Sequence, residues 1–318
     1  MFSRIKSRIN KLQQNYVRWA VKDPKRLADI NFNYRKNSFS SLANLHEKYA
    51  KLFRGCPGTF SSGTWIVDFC GRQITLPLTQ ERAWLDWDSA YSILGHDVEV
   101  KESYRNLINF YPADALKFVD IGANYGTHSL LFLCCGISSI SIEPNPTCHA
   151  YFQECCRLNN VTPNLVAAAL GSEEGTATLS FPETDTWLGS LKKDVVKALN
   201  NNHSLISVQV DVHPLDSFYE QLQAKQLIIK IDTEGFELEV LKGAERVLTQ
   251  LRPMVFFETL NETEKTNIME FFTNIGFSIF ALPYDPKSPG NSLSYQALKA
   301  SKETNFVAIY QSSRATNV

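Results

Sequence analysis

The chain lacks a long hydrophobic run, a Cys-x-x-Cys pair and any strong imbalance of charge. A membrane-spanning helix needs about 20 consecutive apolar residues, and no stretch approaches that length. Charges interrupt the N-terminal segment every second or third residue, so no signal peptide is expected. Without a Cys-x-x-Cys spacing, the seven cysteines offer no zinc framework. Cys134-Cys135 and Cys155-Cys156 are adjacent pairs inside apolar helical patterns, where vicinal thiols form no structural bridge. Reduced thiols in a cytoplasmic protein are the expectation. A net charge of −1 gives no global case for nucleic acid.

What the chain does have is core-forming material. At 318 residues, 44% hydrophobic and 12% aromatic, it can build one large α/β domain plus an N-terminal extension. Its charge is uneven. Arg4, Lys6, Arg8, Lys11, Arg18 and Lys22 fall in residues 1–22 with no acid among them, so the remainder is net acidic. In the same segment Phe2, Ile5, Ile9, Leu12, Tyr16 and Trp19 are spaced three and four apart, one apolar stripe down a helix. Asp23-Pro24 ends it. The leading expectation is that this stripe docks on the chain's own domain or on a second subunit. The alternative is a basic amphipathic helix resting on an anionic membrane, with the protein cytoplasmic or membrane-peripheral.

Residues 38–54 read as a helix. Thr64–Phe69 and Gln73–Leu78 read as a hairpin around Cys70-Gly71-Arg72. Helices are expected at 81–94 and 98–110, broken at Gly95-His96-Asp97, and Pro112 closes the section. From Leu116 onward strands and helices alternate. Strands are expected at 117–121, 138–142, 164–168, 227–231 and 254–257, all but the third leading into a helix. A hairpin, a polar loop and a strand (207–212) fill 175–213. Two late strands, 278–282 and 305–310, flank a Pro/Gly/Ser-rich loop and suggest an antiparallel edge. Helices between strands require a mostly parallel sheet covered on both faces. The expected domains are 1–112, a mainly helical extension with a hairpin, and 113–318.

The chemistry gathers at the strand ends, where open parallel sheets bind ligands. Asp120 ends the first strand and runs into Gly122-Ala123-Asn124-Tyr125-Gly126, a turn whose glycines let backbone approach a ligand. The second strand is capped by Glu143, followed by Pro144-Asn145. A dinucleotide fingerprint would need glycine at 122, 124 and 127, and the chain has Gly, Asn and Thr. An acid at position 120 would also repel a pyrophosphate. It suits instead the ammonium of S-adenosylmethionine, acting directly or through the loop. Glu143 is placed to accept two hydrogen bonds from a ribose diol, with Asn145 beside the adenosine. In the alternative reading these acids are helix caps or solvated strand ends.

Further on, Lys230-Ile231-Asp232-Thr233-Glu234-Gly235-Phe236-Glu237 ends the fourth main strand. Lys230 and Asp232 share a face, which makes a structural ion pair one reading. The other makes Asp232 a proton acceptor, a metal ligand or a sulfonium stabiliser. Glu234 and Glu237 favour the N-terminus of the next helix. Glu258 ends the fifth strand. Asp232, Glu258 and Asn261 together offer oxygen ligands for a divalent cation, a variant less favoured than one with no metal. His96 and His128 are weaker base candidates. Trp187, in the polar loop 184–190, is placed either to stack on an acceptor or to pack on the N-terminal helices. For Trp84 and Trp87 core packing is favoured.

In order, Asp120-x-Gly122-Ala123-Asn124-x-Gly126, Glu143-Pro144-Asn145-Pro146, Lys230-Ile231-Asp232-x-Glu234-Gly235-x-Glu237, Leu241-Lys242-Gly243-Ala244, Arg252-Pro253 and Glu258 resemble the FkbM family of S-adenosylmethionine-dependent methyltransferases. The resemblance covers roughly residues 116–310. It implies a Rossmann-like, mostly parallel seven-stranded sheet with an antiparallel last strand. It also implies methylation of hydroxyls on sugars, polysaccharides or natural products. Asp120, Gly122, Asn124, Gly126, Glu143 and Asn145 are the expected cofactor residues, and Asp232 and Glu258 the expected catalytic ones. The competing readings are nitrogen or macromolecule methylation, a non-catalytic module that binds the cofactor or nothing, and a nicotinamide oxidoreductase.

Overall fold

The computed structural model describes residues 2–53, 60–182, 185, 188–202, 204–259 and 261–311, with the side chains of residues 2–10 and Lys193 left aside. The chain opens with α1 (Phe2–Ala20), α2 (Pro24–Tyr34) and α3 (Phe39–Tyr49), then the hairpin β1 (Gly63–Phe69) and β2 (Arg72–Leu78), then α4 (Ala83–Gly95) and α5 (Val98–Phe110). Next come β3 (Leu116–Ile121), α6 (Thr127–Cys134), β4 (Ser138–Ile142), α7 (Pro146–Leu158), β5 (Asn164–Val166), β6 (Ala169–Leu170) and β7 (Gly175–Pro182). They are followed by α8 (Lys193–Asn200), β8 (Leu205–His213), β9 (Gln226–Ile231), α9 (Glu237–Lys242), β10 (Met254–Glu258) and α10 (Glu262–Asn274). The chain closes with β11 (Phe277–Phe280), α11 (Tyr295–Ala300) and β12 (Asn305–Tyr310).

Two compact units result: Met1–Lys101 with Glu154–Val161, and Glu102–Gln153 with Thr162–Val318. In the first, Asp23 caps α2, accepting from the Arg26 amide at 3.0 Å, and Pro24 fills the position where a missing N–H costs nothing. The Asn31 carboxamide lies against β1 like a further strand, donating to Ile66 O at 2.7 Å and accepting from Ile66 N at 2.9 Å. The core is aromatic. Trp87 stacks on Phe53 with ring centroids 4.4 Å apart, and Trp65 meets Trp87 and Tyr34 edge-on.

Of the two docking surfaces expected for the α1 stripe, the chain's own domain does not cover Leu12, Tyr16 and Trp19. Leu12, Tyr16 and Trp19 of the α1 stripe are exposed, while Val17, Ala20 and Val21 are buried. Among the described residues the helix therefore docks through its small and β-branched residues near its C-terminal end, and Leu12, Tyr16 and Trp19 do not cover this chain's own core.

The second unit is built on a seven-stranded sheet ordered β11-β12-β10-β9-β3-β4-β5. β9 pairs in parallel with β3 and β10, and β4 with β3 and β5. β12 is antiparallel to both β10 and β11. The two closing strands form the antiparallel edge expected of them, and the last strand sits inside it, between β10 and β11. Sequential order cannot reveal such an insertion, because β11 and β12 look alike as apolar runs. Ile229, Ile231, Val255, Phe257 and Ile140 pack into one core with Leu241, Ile268 and Phe272 from the covering helices. A smaller three-stranded sheet, β6-β8-β7, replaces the hairpin expected over Ala177–Phe181: that segment is one strand, β7, paired antiparallel with β8, the strand expected at 207–212. The polar segment before β8 contains α8, which its composition did not announce.

Candidate functional site

The turn after β3 needs its glycines. Gly122 has φ +76°, and a Cβ there would lie 1.8 Å from the backbone oxygen of Asp232. Gly126 has φ +69°, and its Cβ would enter the Phe152 ring. Asn124, at φ +48°, tolerates the left-handed region better than most side chains. The amides of Gly122 and Ala123 donate to Ile142 O at 3.0 and 3.1 Å, so the turn is sewn to the end of β4.

Glu143, at that end, is buried. Its Oε2 accepts from Asn124 N and its Oε1 from Asn145 N, each at 2.7 Å. Burial pushes its carboxyl up to about 7, and the two backbone bonds restrain the rise. Asn145 accepts from the amide and hydroxyl of Thr147 at 3.1 and 2.8 Å, while its buried Nδ2 has no hydrogen-bond partner. Cys148 Sγ donates to Asn124 Oδ1 at 3.1 Å. Gly122, Asn124, Gly126, Glu143 and Asn145 are thus brought together as one wall.

Asp120 lies elsewhere. It is buried beneath the turn and accepts from the amide and hydroxyl of Ser129 at 3.0 and 2.8 Å, with Ser141 Oγ donating to Ser129 Oγ behind it. Burial raises its carboxyl to about 6. In this geometry it holds the start of α6, the capping role, and its influence on a ligand runs through the loop.

A second cluster forms at the tips of β9 and β10. Carboxylate oxygens of Asp232, Glu234 and Glu258 all lie within 4.8 Å of one another. Lys230, fully buried, reaches Asp232 Oδ2 at 3.1 Å. Burial first, then the charge of Asp232, raises Glu234 to about 8 and drives Glu258 well above the carboxylate range. A carboxylate oxygen of Glu258 lies within 4.8 Å of one of Asp232. Asp232 N donates to Ile121 O, and its own carbonyl packs on Gly122, so the cluster and the Gly-turn wall are neighbours.

Glu234 is the member that sequence reasoning left at the helix start. Its φ of +52° lifts it out of strand alternation, so period-two logic could not place it. Its carbonyl accepts from Ser190 Oγ at 2.9 Å. Glu237 takes the helix-capping role, its Oε1 accepting from Thr233 N, Thr233 Oγ1 and Gly235 N. Asn261 caps α10, its Oδ1 accepting from Glu264 N at 3.1 Å. His128 Nδ1 pairs with the Tyr104 hydroxyl at 3.2 Å. His96 belongs to the first unit, on an exposed break beside Asp97. Trp187 lies outside the described residues.

The arrangement offers two chemistries side by side: a wall of turn amides and a buried carboxylate, and an acid cluster with one ammonium and protons to exchange. Comparison with known proteins agrees with a transferase of one kind. The sequence pattern described as the methyltransferase FkbM domain matches residues 120–279. "Methyltransferase 1" of Beauveria bassiana is 28% identical over 151 residues, covering 42% of this chain and 60% of that protein. The crystal structure of methyltransferase FkbM from Methylobacillus flagellatus is similar at 18% identity and a TM-score of 0.40, covering 70% of this chain and 54% of that one. An S-adenosylmethionine-dependent methyltransferase from Agrobacterium tumefaciens aligns at 10% identity and a TM-score of 0.38, over 78% and 70% of the two chains. The chain spans less than two thirds of the length of the first two.

Proposed function

The chain belongs to the FkbM family of methyltransferases, and from that premise we propose that it methylates a hydroxyl on a sugar, polysaccharide or natural product. The cofactor is S-adenosylmethionine, which when bound supplies an electrophilic methyl on a sulfonium. The residues fit it. Asn145 Nδ2 is a buried donor with no partner, and Glu143 keeps acceptor capacity beyond its two backbone bonds. Gly122 lets the turn pack directly on the Asp232 carbonyl, where any side chain would collide.

The observation that carries a hydroxyl acceptor is the trio of Asp232, Glu234 and Glu258 beside the buried Lys230 ammonium. A hydroxyl must shed its proton as it becomes an ether, whereas a neutral amine attacks through a free lone pair. Glu234 and Glu258, whose proton affinity burial lifts, are matched to receiving and passing on that proton. Asp232, half-open to solvent, accepts the hydrogen bond of the acceptor hydroxyl and takes its proton. Glu258, with a carboxylate oxygen within 4.8 Å of one of Asp232, is placed to share that proton. Lys230 keeps Asp232 aimed. Alignment of this kind is worth roughly 7–11 kcal/mol of barrier, and a positioned base about 10²–10⁴-fold.

The first test is calorimetric titration with S-adenosylhomocysteine, with NADH and Glu143→Ala as controls. Micromolar binding, about −8 kcal/mol, that Glu143→Ala removes supports the reading and opens an acceptor screen led by hydroxylated sugars. Binding of NADH in its place would overturn it in favour of an oxidoreductase.

A further inference from the structure

The described residues of the α1 apolar stripe stand exposed to solvent. Leu12, Tyr16 and Trp19 are 69%, 57% and 51% exposed, while the helix is held by Val17, Ala20 and Val21. The same three-and-four spacing runs back through Ile9, Ile5 and Phe2 in the sequence. Leaving this much apolar surface in water is costly, so the face is built to be covered.

Its surroundings say by what. Residues 1–36 carry ten basic residues against two acids, Asp23 and Asp29. Of those two, Asp23 is spent on capping α2 and on Arg26. Lys11, Lys22, Lys25 and Lys36 are exposed, the Arg26 guanidinium lies over the Trp19 ring at 3.7 Å, and Lys36 Nζ sits over Phe32 at 3.8 Å. Tyr16 and Trp19 pack against each other with centroids 5.7 Å apart. Exposed aliphatic and aromatic rings set among lysines and arginines are the chemistry of a helix lying in the plane of an anionic bilayer surface. A second copy is a poorer occupant, because an isologous contact would set the same basic flanks against each other.

We propose that α1 docks the protein on an anionic lipid surface through Leu12, Tyr16 and Trp19, with the flanking lysines and arginines on the headgroups. No helix among the described residues is long and apolar enough to cross a membrane, so the contact is peripheral. The inference does not depend on which acceptor is methylated.

The test is co-sedimentation of the full chain with vesicles of phosphatidylcholine alone or mixed with phosphatidylglycerol. Binding should require phosphatidylglycerol, fall as salt rises, and weaken about tenfold or more in Leu12→Asp and Trp19→Asp. Both positions are exposed, and unchanged circular dichroism would confirm that the variants fold. No sedimentation with the anionic vesicles would overturn the proposal, as would equal binding to neutral ones. A dimer abolished by Leu12→Asp, without vesicle binding, would assign the face to a second copy. Binding to a polyuridylate strand without vesicle binding would assign the basic flank to nucleic acid.

Discussion

The Lys230 ammonium stands 3.1 Å from Asp232 Oδ2, the lysine 1% exposed and the aspartate side chain 32% exposed. One cation here faces three carboxyl groups, Asp232, Glu234 and Glu258. The charges do not balance, and burial makes the imbalance expensive. The surplus is relieved by protons, which is why Glu234 and Glu258 hold theirs far above the usual carboxylate range.

Asp232→Asn keeps the shape of the cluster but removes its proton acceptor nearest solvent. Turnover should fall by about 10²–10⁴-fold, with S-adenosylhomocysteine affinity changed only a few-fold. Steady-state kinetics beside calorimetry separate the two effects. Unchanged turnover would take Asp232 out of the mechanism.

The same cluster sets a pH dependence. Deprotonation creates the accepting form, so kcat/KM should climb as pH rises from neutral toward the alkaline side. The positive charge of Lys230 lowers both Glu234 and Glu258. Lys230→Met removes it, the acids keep their protons to higher pH, and the rising limb should move up by roughly 1–3 pH units. A limb that stayed in place or moved down would show that these carboxyls do not control the rate.

Glu143 titrates near 7 in the folded protein against an ordinary 4.5. Its ionised form is the one that accepts both backbone amides and has lone pairs left for a diol. S-adenosylhomocysteine binding should therefore be full above about 8 and weaken as pH falls through about 7. Folding has the opposite sign. Because the folded carboxyl is the stronger proton binder, its contribution to stability is present below 4.5 and is lost as pH rises through about 7. Binding that is flat from pH 5 to 8 would refute the role given to Glu143.

Gly122→Ala combines a left-handed backbone with a Cβ 1.8 Å from the Asp232 carbonyl. Strain of about 1–3 kcal/mol comes with separation of the Gly-turn from the tip of β9. A lowered melting temperature together with lost cofactor affinity is the expected result. Gly136→Ala is the matched control, having φ +77° but nothing within 4 Å of the added Cβ. Equal effects would mean that conformation, not close approach, dominates at Gly122.

Lys230 and bound protons already neutralise the acid trio, and Asn261 is engaged at a helix cap. Exhaustive chelation should therefore leave turnover unchanged. Activity lost to chelation and restored by Mg²⁺ would instead assign a cation to Asp232, Glu234 and Glu258.

Much of the site was legible along the chain. The two glycines, Glu143 and Asp232 lie at ends of apolar strands, and strand ends in a parallel sheet all emerge on one side. Local pattern was enough to say that these groups meet. Glu234 and Asp120 were harder for opposite reasons. A positive φ swings Glu234 into the cluster, and no periodicity records a turn angle. Asp120 is at a strand end as expected, but Ser129, nine residues on, offers both an amide and a hydroxyl and turns the carboxylate inward.

The sequence by itself determined the order of strands and helices, the glycine turn that excludes a dinucleotide pattern, and the amphipathic period of α1. These are set by backbone sterics and side-chain spacing within a few residues. Only the tertiary structure decided that β12 enters between β10 and β11, that Lys230 stands against the acid trio, and that Leu12, Tyr16 and Trp19 of α1 face out. Each of those outcomes depends on which distant surface competes for a face or a charge, and burial, not spacing, settles that competition.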